Sequence, residues 1–192
     1  MRKWFLKILV FSTVAIALVI GPAAPASAGQ EDLSAVRKAT AKFHNLEVAK
    51  HAGYASALNC FDLPGVGGMG QHYIKGELMN GSVSPTRPQA LVYEVKGNEL
   101  TFVAVEYIIP YTFLPPTAEP PRLFGRPFFH NNGLRLWALH AWIWRKNPLG
   151  TFANYNPNVA LCPGHQAALC SRRGRFSRPR PFIRLQLRLG YG

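Results

Sequence analysis

Three ionisable side chains stand where the sequence otherwise offers apolar neighbours. Glu106 lies inside the run Phe102-Val103-Ala104-Val105-Glu106-Tyr107-Ile108-Ile109, which holds no other charge. His140 lies inside Leu136-Trp137-Ala138-Leu139-His140-Ala141-Trp142, and His72 inside Gly70-Gln71-His72-Tyr73-Ile74. A carboxylate in such a run is costly unless it is paired, protonated or bound to a metal. Two imidazoles and one carboxylate make a donor set for a divalent transition metal, with Zn, Fe, Mn or Cu all eligible. The same groups suit general acid–base work without a metal. The alternative is that Glu106 pairs with Arg135 or Arg145 and that the histidines are satisfied core residues. Met69, Tyr73 and Trp142 are secondary candidates. Met69 brings a soft sulfur near His72, which would favour Cu(I); Tyr73 adjoins His72; and the indole of Trp142 could line a ligand pocket. No local spacing fixes the geometry of the trio as H-E-x-x-H would. The chain carries no G-x-S-x-G and no P-loop, and its glycine cluster Gly65–Gly70 is not framed as a dinucleotide fingerprint.

Positioning such residues falls to the elements around them. Leu33, Val36, Phe43, Leu46 and Ala49 recur at helical steps, so residues 31–53 are expected to be helical. Asn45 is expected to cap a second short helix and Gly53 to end it. Asn59 to Gly70 reads as a glycine-rich loop with close backbone approach, followed by a short strand over Gln71–Lys75. Ala90–Val95 and Glu99–Ile109 are β-branched and aromatic, and Lys96-Gly97-Asn98 between them suits a three-residue hairpin loop. Pro110 to Gly133, with six prolines, reads as a long loop, and Leu134–Lys146 as a third strong strand. Period 2 puts His140 on one face with Leu136, Ala138, Trp142 and Trp144. A helical section followed by strands implies an α+β fold: an N-terminal helix or two, then a mainly antiparallel, barrel-like sheet of at least four strands.

The chain's 192 residues carry a formal charge of +13, which by itself suggests a nucleic-acid partner. The distribution argues otherwise. Residues 1–28 hold three bases and no acid, residues 29–170 hold 12 bases and all 9 acids, and residues 171–192 hold seven arginines and no acid. The basicity belongs to the ends. Residues 1–28 have the layout of a secretory signal peptide: Arg2, Lys3 and Lys7, an apolar run from Ile8 to Ile20, then Ala26-Ser27-Ala28. That run is shorter than a membrane span needs, so no transmembrane segment is expected after cleavage. Export implies an oxidising compartment and favours a Cys60–Cys162 disulfide, leaving Cys170 as the odd thiol.

The blocks Gly68-Met69-Gly70-Gln71-His72-Tyr73, Val105-Glu106-Tyr107 and Leu139-His140-Ala141-Trp142-Ile143-Trp144-Arg145-Lys146-Asn147-Pro148 resemble those of a family of secreted bacterial proteins of uncharacterised function. Pro88–Glu94 and Leu123-Phe124-Gly125 extend the resemblance, which covers residues 35–162. It implies one exported domain with His72, Glu106 and His140 inside its motif blocks, and supplies no mechanism. The chain departs from the family's pattern in the 30 residues after Cys162, which are rich in Arg and Pro.

The expected organisation is therefore a signal peptide (1–28), a single secreted domain (29–162) and a basic, disordered tail (163–192) that could meet an anionic envelope polymer. The expected function is binding of a metal ion or small ligand at an interior His/Glu site. The alternative is a cell-envelope interaction or structural protein whose three polar residues form a buried network and whose aromatic surface binds a polymer.

Overall fold

A computed structural model describes residues 28–164. The expected signal peptide and tail, apart from Ala28, Pro163 and Gly164, lie outside the described residues, as does Cys170.

The helical section forms as its periodicity requires. Helix α1 (Ala28–Thr40) runs into a 3₁₀ turn (Ala41–His44), and α2 (Leu46–His51) follows. Asn45 separates them with extended dihedrals, and its Oδ1 accepts from the amides of Glu47 and Val48. This is a side-chain N-cap that leaves fewer orphan donors at the helix start. Gly53, at φ +91°, turns the chain out of α2.

Among the described residues eight strands follow: β1 (Ala55–Leu63), β2 (Gly67–Ile74), β3 (Ala90–Lys96), β4 (Glu99–Pro110), β5 (Arg122–Leu123), β6 (Arg126–Pro127), β7 (Phe129–Asn131) and β8 (Leu136–Ala141). Six make one antiparallel sheet in the order β1-β2-β3-β4-β8-β7, curled into a half-barrel; β5 and β6 form a separate small hairpin. The α+β class, the early helices and the antiparallel sheet are as the sequence implies.

The two faces of the sheet differ. One carries Tyr73, Leu91, Tyr93, Phe102, Val105, Tyr107, Trp137 and Leu139, and packs with Val36, Phe43 and Ala49 of the helical section into the main core. The buried tyrosines place their hydroxyls on backbone carbonyls: Tyr93 donates to Phe43 and Tyr54 to Pro88. Burial pushes the Tyr54 phenol up to about 12, so that group serves as a neutral donor. The other face carries a smaller cluster of Val92, Val103, Ala104, Trp142 and Val159.

Four sequence expectations need correction. Residues 59–70 are not a loop: they belong to β1 and β2, joined by a turn after Leu63. Their glycines serve close approach within the sheet. The segment 156–160 lies against β2, with Asn156 and Gly68 exchanging a backbone hydrogen bond of 2.9 Å and the Gly68 amide donating to Val159 at 3.2 Å. A Cβ on Gly68 would collide with the Ala160 carbonyl and Val159. The hairpin after β3 has two loop residues, not three, because Lys96 pairs with Glu99. The long proline-rich stretch holds β5, β6 and β7. The third strong strand ends at Ala141, where the Ile143 amide turns back to the Ala141 carbonyl, so Trp144 leaves the face of Trp142 and packs on Phe102 in the main core.

The expected disulfide joins Cys60 to Cys162 across a sequence separation of 102 residues. Around it the Cys162 amide donates to Asp62 Oδ2, and Glu94, buried on β3, accepts from the Ala160 amide and from Arg145. The disulfide therefore pins the closing segment onto β1 and β2. Replacing both cysteines by serine should cost about 2–5 kcal/mol of unfolding free energy in denaturant titrations. An unchanged midpoint would show that the hydrogen bonds alone hold the segment.

Candidate metal centre

Strand register brings the three ionisable residues together. Across the sheet, Ile74 pairs with Ala90, Ala90 with Glu106, and Glu106 with His140, so Glu106 and His140 are direct cross-strand neighbours. His72 pairs with Val92, one pleat along on the same face. Between His72 and Glu106 runs β3, where Val92 pairs with His72 and the small Ala90 with Glu106. Both longer side chains can then lean over β3 and meet.

They do meet. His72 Nε2 lies 3.3 Å from Glu106 Oε2, and His140 Nε2 lies 3.4 Å from Glu106 Oε1. One ligand atom from each of the three residues can be chosen so that all lie within 4.8 Å of one another. All three residues are buried, Glu106 retaining 7% exposure. Neither expected arginine partner takes the carboxylate: Arg145 Nη2 is 2.7 Å from Glu94, and Arg135 is exposed on the β7–β8 turn.

The trio is not a closed hydrogen-bond network. His140 Nδ1, His140 Nε2 and His72 Nδ1 are buried without a hydrogen-bond partner. Buried polar atoms normally find one, and orphaned ones call for an explanation such as a bound ion. The usual device for fixing a metal-binding imidazole, a hydrogen bond from its second nitrogen, is replaced here by ring packing. His140 is flanked by the near-parallel rings of Phe129 and Trp142, at 6.4 and 6.1 Å. His72 meets Phe61 and His140 edge-on at 5.7 and 5.8 Å.

Electrostatics follow from this burial. Desolvation pushes the Glu106 carboxyl up, but the imidazoles of His140 and His72 outweigh it and hold the group below its ordinary 4.5. Desolvation pushes His140 down, Glu106 opposes, His72 adds to the depression, and the net result lies below the ordinary 6.5. At neutral pH the centre thus holds an ionised carboxylate beside a neutral His140. That protonation pattern is the one a divalent cation needs.

A cavity of about 370 Å³ opens onto the trio. Its wall is mainly Leu58, Phe61, Met69, Ile74, Ile108, Phe129, Leu134 and Leu136, with Asn131 and Tyr155 adding polar groups. Of the secondary candidates, Met69 reaches the cavity, Trp142 sits behind His140, and Tyr73 points to the opposite face, where it packs on Tyr93 at 5.1 Å. Met69 and Leu58 reach the cavity through irregular strand pairing. Between the pairs Phe61↔Gly70 and Asp62↔Gly68, β2 carries Met69 as an extra residue, and between Ala57 and Phe61 the register of β1 shifts around Leu58. Sequence reasoning missed most of the wall. Period 2 from His140 gives Leu136 and from Glu106 would have given Ile108; nothing local marks Leu58 or Tyr155.

Comparisons with known protein families, with curated proteins and with solved structures find no match.

The buried His140 makes acid lability an expected property of the metal-free protein. The unfolded chain takes up a proton near the ordinary histidine value while the folded one resists, so stability is full above about 6.5 and falls below it. The slope should be at most about 1.4 kcal/mol per pH unit for this one group, with a further loss below 4.5, where the unfolded chain takes up the Glu106 proton before the folded one does. Denaturant titrations of metal-free protein across that range would show it; stability that is flat or rising on acidification would contradict a neutral His140.

Proposed function

We propose that the protein binds a divalent first-row transition metal through His72, Glu106 and His140, with a small-ligand cavity directly over the ion. One observation carries this reading. Three buried ligand groups of the right chemistry converge within 4.8 Å, and His140 Nε2, which faces Glu106, has no hydrogen-bond partner. A purely structural network would be expected to satisfy that nitrogen. Two imidazoles and one carboxylate leave coordination positions open on the cavity side, as in mononuclear sites that also bind an exogenous group. The donors are harder than Cu(I) prefers, and the Met69 sulfur is not one of the three ligand groups. The burial of Trp137 and Trp142 speaks against the alternative of an aromatic polymer-binding face.

The domain functions outside the reducing cytoplasm. The layout of residues 1–28 and the Cys60–Cys162 disulfide both support export. Among the described residues, no helix is long and apolar enough to cross a membrane. Membership of the secreted bacterial family rests on the motif blocks, each of the three central ones holding one member of the trio.

Protein stripped with chelator and reloaded with Zn, Mn, Co or Fe(II) should retain one ion per chain for at least one of them, with a rise in Tm. At a free-metal concentration about 100 times Kd the gain is about 2.7 kcal/mol. The variants Glu106→Gln and His140→Asn should keep the circular-dichroism spectrum and lose at least about tenfold in metal affinity. No retained metal and an unmoved Tm with all four ions would sink the reading.

A further inference from the structure

The wall of the cavity specifies what it would hold. Apart from the trio, its polar side chains are Asn131 and Tyr155, and Asn131 Oδ1 is already taken by the Leu134 amide at 3.0 Å. No lysine or arginine lines the cavity among the described residues. A sugar, nucleotide or peptide would bury many polar groups there without partners, each at a cost. A phosphate or second carboxylate would find no cation besides the metal. The remaining surface is aliphatic and aromatic, and so is the mouth. Leu58 and Leu134, 48% and 41% exposed, belong to the wall. Leu58 sits at φ +66°, a conformation uncommon for a bulky residue, on the irregular stretch of β1. The chain thus spends local backbone strain to hold an apolar side chain at the opening.

The polar end sets the head group. A divalent ion with one carboxylate and two neutral imidazoles has a net charge of +1, which one anionic oxygen donor balances in a low-dielectric site. A volume of about 370 Å³ lies at the lower end of the range for small-molecule sites. We infer that the cavity takes a small amphipathic acid, such as a medium-chain or aryl carboxylate, with its oxygen head on the metal and its apolar body between Leu58 and Leu134. This inference rests on the metal reading, and the metal must bind first, because the wall itself offers no cation to the acid.

Full-length protein loaded with Co(II) supplies the test, since the visible Co(II) bands report a new oxygen ligand. Acetate, octanoate and octylamine are titrated into loaded and metal-free protein. Octanoate should shift the bands and bind at least about fiftyfold more tightly than acetate, given about a fourfold gain for each fully buried CH₂. Metal-free protein should bind octanoate at least about tenfold more weakly. The substitutions Leu58→Asp and Leu134→Asp should each weaken octanoate at least about tenfold relative to acetate, with Co(II) occupancy measured on every variant. Equal affinities for octanoate and acetate on a fully loaded protein would overturn the inference and leave the metal reading standing. So would tighter binding of octylamine to the metal-free protein. Should Co(II) not bind, the same titrations are followed by calorimetry on whichever of Zn, Mn or Fe(II) the protein retains; retention of none of the four would overturn both.

Discussion

A carboxylate buried on a sheet face constrains the rest of the molecule. Glu106 is almost inaccessible to water, yet the charges that the neighbouring imidazoles can carry outweigh the desolvation cost and hold its carboxyl below the ordinary value. That arrangement exists only while β2, β3, β4 and β8 keep their register, because a slip of one residue would send each of these side chains to the opposite face. The small Ala90 beside Glu106 on β3 is part of the same constraint, since β2 and β4 do not pair and their side chains must lean across β3 to come within 3.3 Å.

The sheet can hold a polar centre because its two faces divide the work. The face under α1 and α2 supplies the hydrophobic core, with tyrosine, phenylalanine and tryptophan packed together and the polar atoms of Tyr93 and Trp137 donating to backbone carbonyls. Burial of this kind is the main favourable term in folding. The opposite face is then free to be underpacked, to carry three ionisable groups and to curl around a cavity. Its own closure comes from elsewhere. The segment 156–162 is tied by backbone pairing to Gly68, by Glu94 and by the disulfide, and it packs Val159 into the smaller cluster on this face.

Ring packing gives the centre its geometry. Phe61, Phe129 and Trp142 bracket the imidazoles, so the rings are oriented by shape and not by acceptors on their second nitrogens. No acceptor holds the Nδ1 of either ring. The same aromatic groups continue into the cavity wall, and the donor set therefore looks out on an apolar space.

Much of this was legible in the sequence. The α+β order, the N-cap at Asn45 and strands β3 and β4 follow from local periodicity and turn chemistry, which act over a few residues. The trio itself stood out because each member interrupts an apolar run, and the disulfide because export leaves few pairings for three cysteines. Tertiary structure decided the rest, for reasons no local pattern carries. The glycines of β2 read as a loop because their role is to admit residues 156–160, nearly 90 positions away. Met69 and Leu58 enter the cavity through irregular pairing that breaks the period of 2, and Tyr73 leaves it because that period holds. Sequence determined which side chains would be too polar for their surroundings. Only the pairing of four strands, set by packing over long distances along the chain, decided that they should meet at one point.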